Sequence, residues 1–197
     1  MLSQQAQALP GSYRAMTENE LTQAEIAGGI FKTAETCPVK GQLMRDFELV
    51  STEGRKISVS DYRGRSNLTL VFAGGDSQGL ELLTRIANSY TKLQEEQTEV
   101  LAIVQCSNEK AARVKDEARA KFPVLIDRDG RIHRLMGAQD RRGQAEMAVY
   151  VTDRFGEVFA TFRESEKQAM PGVQEILEWL TFVNSQCPEC SPPEWPV

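Results

Sequence analysis

From residue 68 to residue 162 the chain alternates two kinds of hydrophobic pattern. Leu68–Phe72 and Val100–Val104 are unbroken apolar runs of strand length. Such runs predict strands covered on both faces. Between them Leu80, Leu83, Ile86, Ala87, Tyr90 and Leu93 recur three and four apart, which predicts a helix with one apolar face. Ser107 is placed to cap a second helix carrying Ala111, Ala112, Val114 and Ala118. Pro123–Ile126 reads as a further strand, closed by Asp127-Arg-Asp-Gly130. Met147–Val151 and Val158–Phe162 flank the turn sequence Asp153-Arg-Phe-Gly156, a hairpin signal. Upstream, Phe47–Val50 and Lys56–Val59 flank Thr52-Glu-Gly54 and predict another hairpin. A last helix is expected over 172–185, with Val173, Ile176, Leu177, Leu180 and Val183 on one face.

Repeated β-α-β-α followed by a hairpin and a closing helix predicts an α/β domain. We expect a five-stranded mixed core with helices on both faces and an N-terminal β-hairpin appended. The Leu68–Phe72 strand should be central to that core. Residues 1–40 are a polar arm, with a short helix expected over 18–27. Residues 41–185 are the domain, and residues 186–197 a tail carrying a C-x-x-C motif.

Charge and composition narrow the function classes. The chain has 197 residues, a net charge of −5 and both signs interspersed, which is no footprint for nucleic acid or an anionic membrane surface. No apolar run approaches a membrane span, and no leader pattern opens the chain, so a cytoplasmic location is expected. Four cysteines in a chain of this length do not make a disulfide scaffold. One histidine, His133, cannot supply a His-rich metal site; a surface or packing role is expected for it. No cofactor is indicated.

Four segments, in order, resemble the peroxiredoxin and redoxin branch of the thioredoxin superfamily, of the alkyl hydroperoxide reductase/thiol-specific antioxidant type. Gly41-Gln-Leu-Met-Arg-Asp-Phe-Glu-Leu49 is similar to its opening G-x-x-x-x-D-F-x-L strand. Ile57-Ser-Val-Ser-Asp-Tyr-Arg-Gly64 resembles its V-S-L-S-D-Y-R-G-K segment. Phe122-Pro-Val-Leu-Ile-Asp-Arg-Asp-Gly130 resembles F-P-V-L-x-D-x-D-G, and Ala148–Gly156 the F-V-I-D-x-x-G hairpin. The resemblance covers residues 41–183 and implies a thioredoxin-like three-layer fold. It also implies a catalytic cysteine in the turn after the Leu68–Phe72 strand. That turn holds Asp76, Ser77 and Gln78, and no cysteine lies between Cys37 and Cys106. Just before the last hairpin, where the resemblance implies an arginine or a cis-proline, stands Met147. Conventional peroxidase activity is therefore not expected.

Three other places could hold thiol chemistry. Cys187-Pro-Glu-Cys190 is the sharpest motif. A C-x-x-C pair is a redox dithiol, half of a zinc site, or incidental, and the sequence leaves these open. It follows a helix, and Glu189 lies between its thiols, so both effects weaken the thiols as nucleophiles. Cys106 ends the Val100–Val104 strand, with Lys110 and Arg113 nearby to favour a thiolate, but a packed, inert role is the expected one and Cys106 is a weak redox candidate. Cys37, in the arm, is a lesser redox candidate. Asp76 or Ser77 is otherwise read as a helix cap, and the N–H groups of 75–79 would suit a small anion. Two functions compete on this evidence. One is a thiol-redox protein without the usual site, working with a thiol-redox partner. The other is a non-catalytic thioredoxin-fold module binding a protein or a small anion. A homodimer is a further expectation.

Overall fold

In the computed structural model, residues 37–167 and 169–186 are described. The expected arm helix and the Cys187/Cys190 tail lie outside them. The described strands are β1 (Glu48–Ser51), β2 (Lys56–Ser58), β3 (Asn67–Gly74), β4 (Thr98–Gln105), β5 (Val124–Ile126), β6 (Ala148–Thr152) and β7 (Val158–Arg163). The helices are α1 (Ser77–Asn88), α2 (Tyr90–Glu95), α3 (Asn108–Ala118), α4 (Arg131–Leu135) and α5 (Val173–Ser185).

The strands form one sheet in the order β2-β1-β5-β4-β3-β6-β7. β3, β4 and β5 are parallel, with Gly74 opposite Gln105 and Val104 opposite Ile126. β6 runs antiparallel to β3 and β7 antiparallel to β6. The β1–β2 hairpin joins at the far side through an antiparallel pairing of Val50 with Ile126. In the five-stranded core β5-β4-β3-β6-β7, β3 is the middle strand, as its unbroken apolar run predicts.

Both faces of the sheet are covered, which explains why β3 and β4 lack polar alternation. On one face lie Val71, Val100, Ala102, Val104, Val149 and Val151. They pack against Leu82, Leu83 and Ile86 of α1, Leu93 of α2, Val114 of α3, and Ile176 and Leu180 of α5. On the other face lie Leu70, Phe72, Leu101, Ile103 and Tyr150, under Met44, Phe47, Val59, Ile132 and Met136. Each buried Val, Leu, Ile, Phe or Met side chain among them contributes about 1.5–3 kcal/mol. The helices are unevenly shared. The four longer ones lie on the first face, and short α4 with a 3-10 turn at Val59–Tyr62 covers the second.

The apolar stripe from Leu80 to Leu93 is carried by two helices and not one. α1 ends at Asn88 and α2 starts at Tyr90, with Ser89 at φ −116° and ψ 10° between them. Asn and Ser bond readily to nearby backbone and favour such breaks. The stripe stays continuous across the break because both segments pack on the same sheet face.

Candidate functional site

The parallel register of β3 and β4 puts their carboxyl ends at one edge, so the turn after β3 and the loop after β4 meet. Gly74 and Gly75 carry the chain out of β3, and Asp76 is the N-cap of α1. Its Oδ1 accepts the Gly79 N–H at 2.8 Å. Gly79 is required for this fit, since a β-carbon there would lie 2.3 Å from the Gly74 carbonyl oxygen. Asp76, Ser77 and Gln78 are all exposed. The first turn of α1 therefore presents a carboxylate, a hydroxyl and an amide to solvent.

This cap changes the electrostatics expected at the turn. A helix start attracts anions through its free N–H groups. Here Asp76 already supplies the negative charge, and the Gly79 donor is taken. The cations of the neighbourhood come from α3. Lys110, Arg113 and Glu117 of that helix face Gly75, Ser77 and Leu80 across an open cleft of about 260 Å³. The Lys110 ammonium has no ion pair among the described residues.

Cys106 stands beside this cleft, half-buried. A β-carbon on Gly75 would lie 3.2 Å from the Cys106 β-carbon and 2.7 Å from Lys110 Cε. Lys110 does favour the Cys106 thiolate, as the sequence suggests, but burial is the larger effect and pushes the thiol up. The net result is a thiol less ready to ionise than an ordinary cysteine. Ser107 caps α3, its Oγ accepting the Lys110 N–H at 3.4 Å.

Met147 lies just before β6, partly buried against the first-face core. Its N–H donates to Glu164 Oε2 and its carbonyl accepts the Glu164 N–H, each at 3.0 Å. It offers the turn no charge. The neighbouring Glu146 carboxyl is pushed up by burial, and further by Glu164 and Asp140.

His133 is a fully buried packing residue. Asp127 Oδ2 faces its Nδ1 at 2.8 Å and accepts its backbone N–H at 2.7 Å. Its Nε2 faces the Ala73 carbonyl at 3.3 Å, at the end of β3. The Phe72 ring meets the imidazole edge to face at 5.3 Å. Burial alone would raise the Asp127 carboxyl, but its bonds to His133 outweigh that and hold it below the ordinary aspartate range. The pair thus braces the strand end that feeds the turn. The only sequence signal for it was Asp127 in a turn motif, six residues before the lone histidine.

Cys37, at the start of the described residues, is half-buried and touches Arg163 at the end of β7. Sequence reasoning did not single out Arg163, because the two residues lie 126 positions apart. Cys187 and Cys190 lie outside the described residues. Among those residues no group of three metal-ligating side chains comes together, and no helix is long and apolar enough to cross a membrane.

A seven-stranded mixed sheet with a parallel centre, an N-terminal hairpin and a capped helix opening straight from the central strand defines a thioredoxin-like α/β protein of the redoxin kind. Known structures share the fold. The peroxidoxin BcpB of Mycobacterium tuberculosis is 19% identical, with a TM-score of 0.66, over 75% of this chain and 99% of that one. AhpC of Enterococcus faecalis is 22% identical, with a TM-score of 0.65, over 76% and 96%. A protein assigned as the thiol:disulfide interchange protein DsbE of Chlorobium tepidum is 24% identical, with a TM-score of 0.58, over 73% and 99%. No curated protein matches the chain significantly by sequence. Residues 40–161 match the AhpC/TSA family, and the chain belongs to it.

Proposed function

We propose that this chain is a thiol-redox protein of the AhpC/TSA family that does not run a conventional peroxidase cycle. The observation that carries this reading is the start of α1. Asp76 caps it, Ser77 opens it, and the nearest described thiol, Cys106, is pushed up by burial. A peroxidase nucleophile needs the opposite, a thiol with its anion stabilised.

Redox work then falls to thiols away from that turn, and the Cys187/Cys190 spacing is the candidate for it. α5 ends at Ser185, with Gln186 already in extended backbone at φ −74° and ψ 144°. This meets one condition for closing a two-residue disulfide loop after the helix. The negative helix end and Glu189 make the thiols slow attackers and poor leaving groups. The pair is therefore a rather reducing one. The test is a thiol–disulfide exchange assay on the full chain and on a Cys187→Ser/Cys190→Ser double variant. Exchange lost in the double variant supports the reading. A potential near the strong oxidants, about −120 mV, contradicts its electrostatics.

The cleft between α1 and α3 favours a second reading, a binding module. Lys110 and Arg113 on its wall fit an acidic group of a protein or small ligand. Inorganic phosphate and an acidic peptide, titrated against the Gly75–Gly79 and Lys110 amide signals, probe it. Shifts abolished by Lys110→Glu/Arg113→Glu support binding there, and unperturbed signals with both probes reject it.

A further inference from the structure

The anchoring of α5 fixes where the chain enters the tail. Asn184, in the last turn of α5, accepts from Asn67 Nδ2 at 2.8 Å through its side-chain oxygen. Its own amide donates to the Glu96 carbonyl at 3.1 Å and to Glu96 Oε2 at 2.9 Å. Asn67 opens β3, so α5 ends at the pole where the parallel strands begin. Both described thiols sit toward the opposite pole. Cys106 follows Gln105, which pairs with Gly74 at the far end of β3. Cys37 touches Arg163, whose register runs through Ala148 to Phe72. The strand from Asn67 to Gly74 spans about 23 Å. Cys187 is three residues past Asn184 and Cys190 six, which at full stretch cover only about 11 and 22 Å. Cys37 is nearer along the strands, but it lies near Tyr150 on the sheet face that α5 does not cover. The tail would have to round the β7 edge to meet it.

The surface at this pole is aromatic and acidic. The chain leaves α5 beside Phe182, whose carbonyl accepts from Ser185 Oγ at 2.6 Å and from Gln186 Nε2 at 3.3 Å. Phe182 is 47% exposed, and the Trp179 and Phe159 rings lie at 6.0 and 6.2 Å from it, edge to face. Residues 173–197 carry Glu175, Glu178, Glu189 and Glu194, and no Lys, Arg or His. Lys40, 4.8 Å over the Trp179 ring, offsets one of those charges. An exposed aromatic surface beside the dithiol suits a protein partner, and the surplus of carboxylates suits a basic one. The same surplus repels a small anionic disulfide such as oxidised glutathione.

Building on the redox reading of that pair, we propose that Cys187 and Cys190 reduce a disulfide on another protein, one rimmed by basic and apolar side chains, and form no disulfide with Cys37 or Cys106 of their own chain. One tail thiolate attacks a sulfur of the partner's disulfide. A mixed disulfide forms and the partner's S–S bond breaks. The leaving sulfur departs with the electron pair and takes a proton from water. The second tail thiol, its proton lost to water, then attacks the mixed disulfide. The Cys187–Cys190 bond closes, and the partner's other sulfur leaves and is protonated in turn. Two electrons and two protons pass from the pair to the partner.

Two measurements on the full chain test this. In the first, the reduced chain is oxidised with diamide at low concentration and cut with trypsin, which leaves 168–197 as one fragment because no Lys or Arg follows Lys167. Mass spectrometry is expected to show that fragment lighter by two hydrogens and joined to no other peptide. A link from it to the Cys37 or Cys106 peptide in the monomeric product overturns the proposal. In the second, the reduced chain is mixed with two disulfide-bonded peptides, alike except that Lys and Leu flank the disulfide in one and Glu and Leu in the other. At low salt the Lys peptide is expected to be reduced at least about fivefold faster, the ratio falling toward one in about 0.5 M salt. Glu178→Lys/Glu194→Lys is expected to remove the preference. Equal rates at low salt, or a preference that this variant leaves unchanged, overturn the proposal and leave the redox reading of the pair standing. Reduction of neither peptide, or reduction that Cys187→Ser/Cys190→Ser leaves intact, overturns both.

Discussion

At the scale of single residues, Asp76 and Ser77 decide what the α1 turn can do. The positive helix end should activate a thiol at position 77, while Asp76 opposes it. In a background with the four native cysteines changed to Ser, Ser77→Cys should give a thiol whose alkylation midpoint lies below about pH 8.5. Adding Asp76→Asn should lower it by about a further half unit. A midpoint no lower than that of a free thiol would mean the helix start does not act on residue 77. Asp127 and His133 are the other decisive pair. The folded-state pKa of Asp127 is depressed, so its stabilisation is complete above the ordinary aspartate value of about 3.9 and is lost as pH falls through the lower folded value. Asp127→Asn weakens the buried hydrogen bonds to the His133 ring and backbone and should cost about 1–3 kcal/mol. Denaturant melts from pH 7 to pH 3 check both points: the wild type loses stability below about pH 4, and the variant loses less over that range.

At the scale of elements, glycine placement sets how α1 leaves β3. Gly→Ala inside a helix is usually stabilising by up to about 1 kcal/mol. Gly79→Ala should instead destabilise by about 1–3 kcal/mol, because the new methyl meets the Gly74 carbonyl and not a movable side chain. Thermal melts read the sign directly, and a stabilised variant would mean the β3–α1 turn is looser than described. The elements themselves were largely legible. The apolar runs at 68–72 and 100–104 mark strands buried on both faces, and the structure extends each by one or two residues at either end, to Asn67–Gly74 and Thr98–Gln105. Ser107 and the Asp153–Gly156 turn were readable because caps and tight turns act through neighbouring residues. Asp153 Oδ1 accepts the Phe155 and Glu157 N–H groups, a bond set spanning four positions. The break at Ser89 was hidden because apolar periodicity runs through it unchanged.

At the scale of the whole molecule, contacts between distant parts of the sequence were illegible. Cys37 with Arg163, and His133 with Ala73, are made by the sheet order and the crossing of loops, which no local pattern encodes. The burial that pushes Cys106 up is of the same kind, whereas its favourable neighbour Lys110, four residues on, was readable. Family membership was legible through four short segments, and residues 40–161 match the AhpC/TSA family. Under the proposed function, membership in this family does not bring conventional peroxidase turnover at the β3–α1 turn. The direct measurement is consumption of hydrogen peroxide and an alkyl hydroperoxide by the full chain, with dithiothreitol or thioredoxin as reductant, beside Cys106→Ser. The expected rate is close to that without protein for both chains. Sustained turnover that Cys106→Ser abolishes would contradict that expectation and would place the peroxidase site in the loop just after β4.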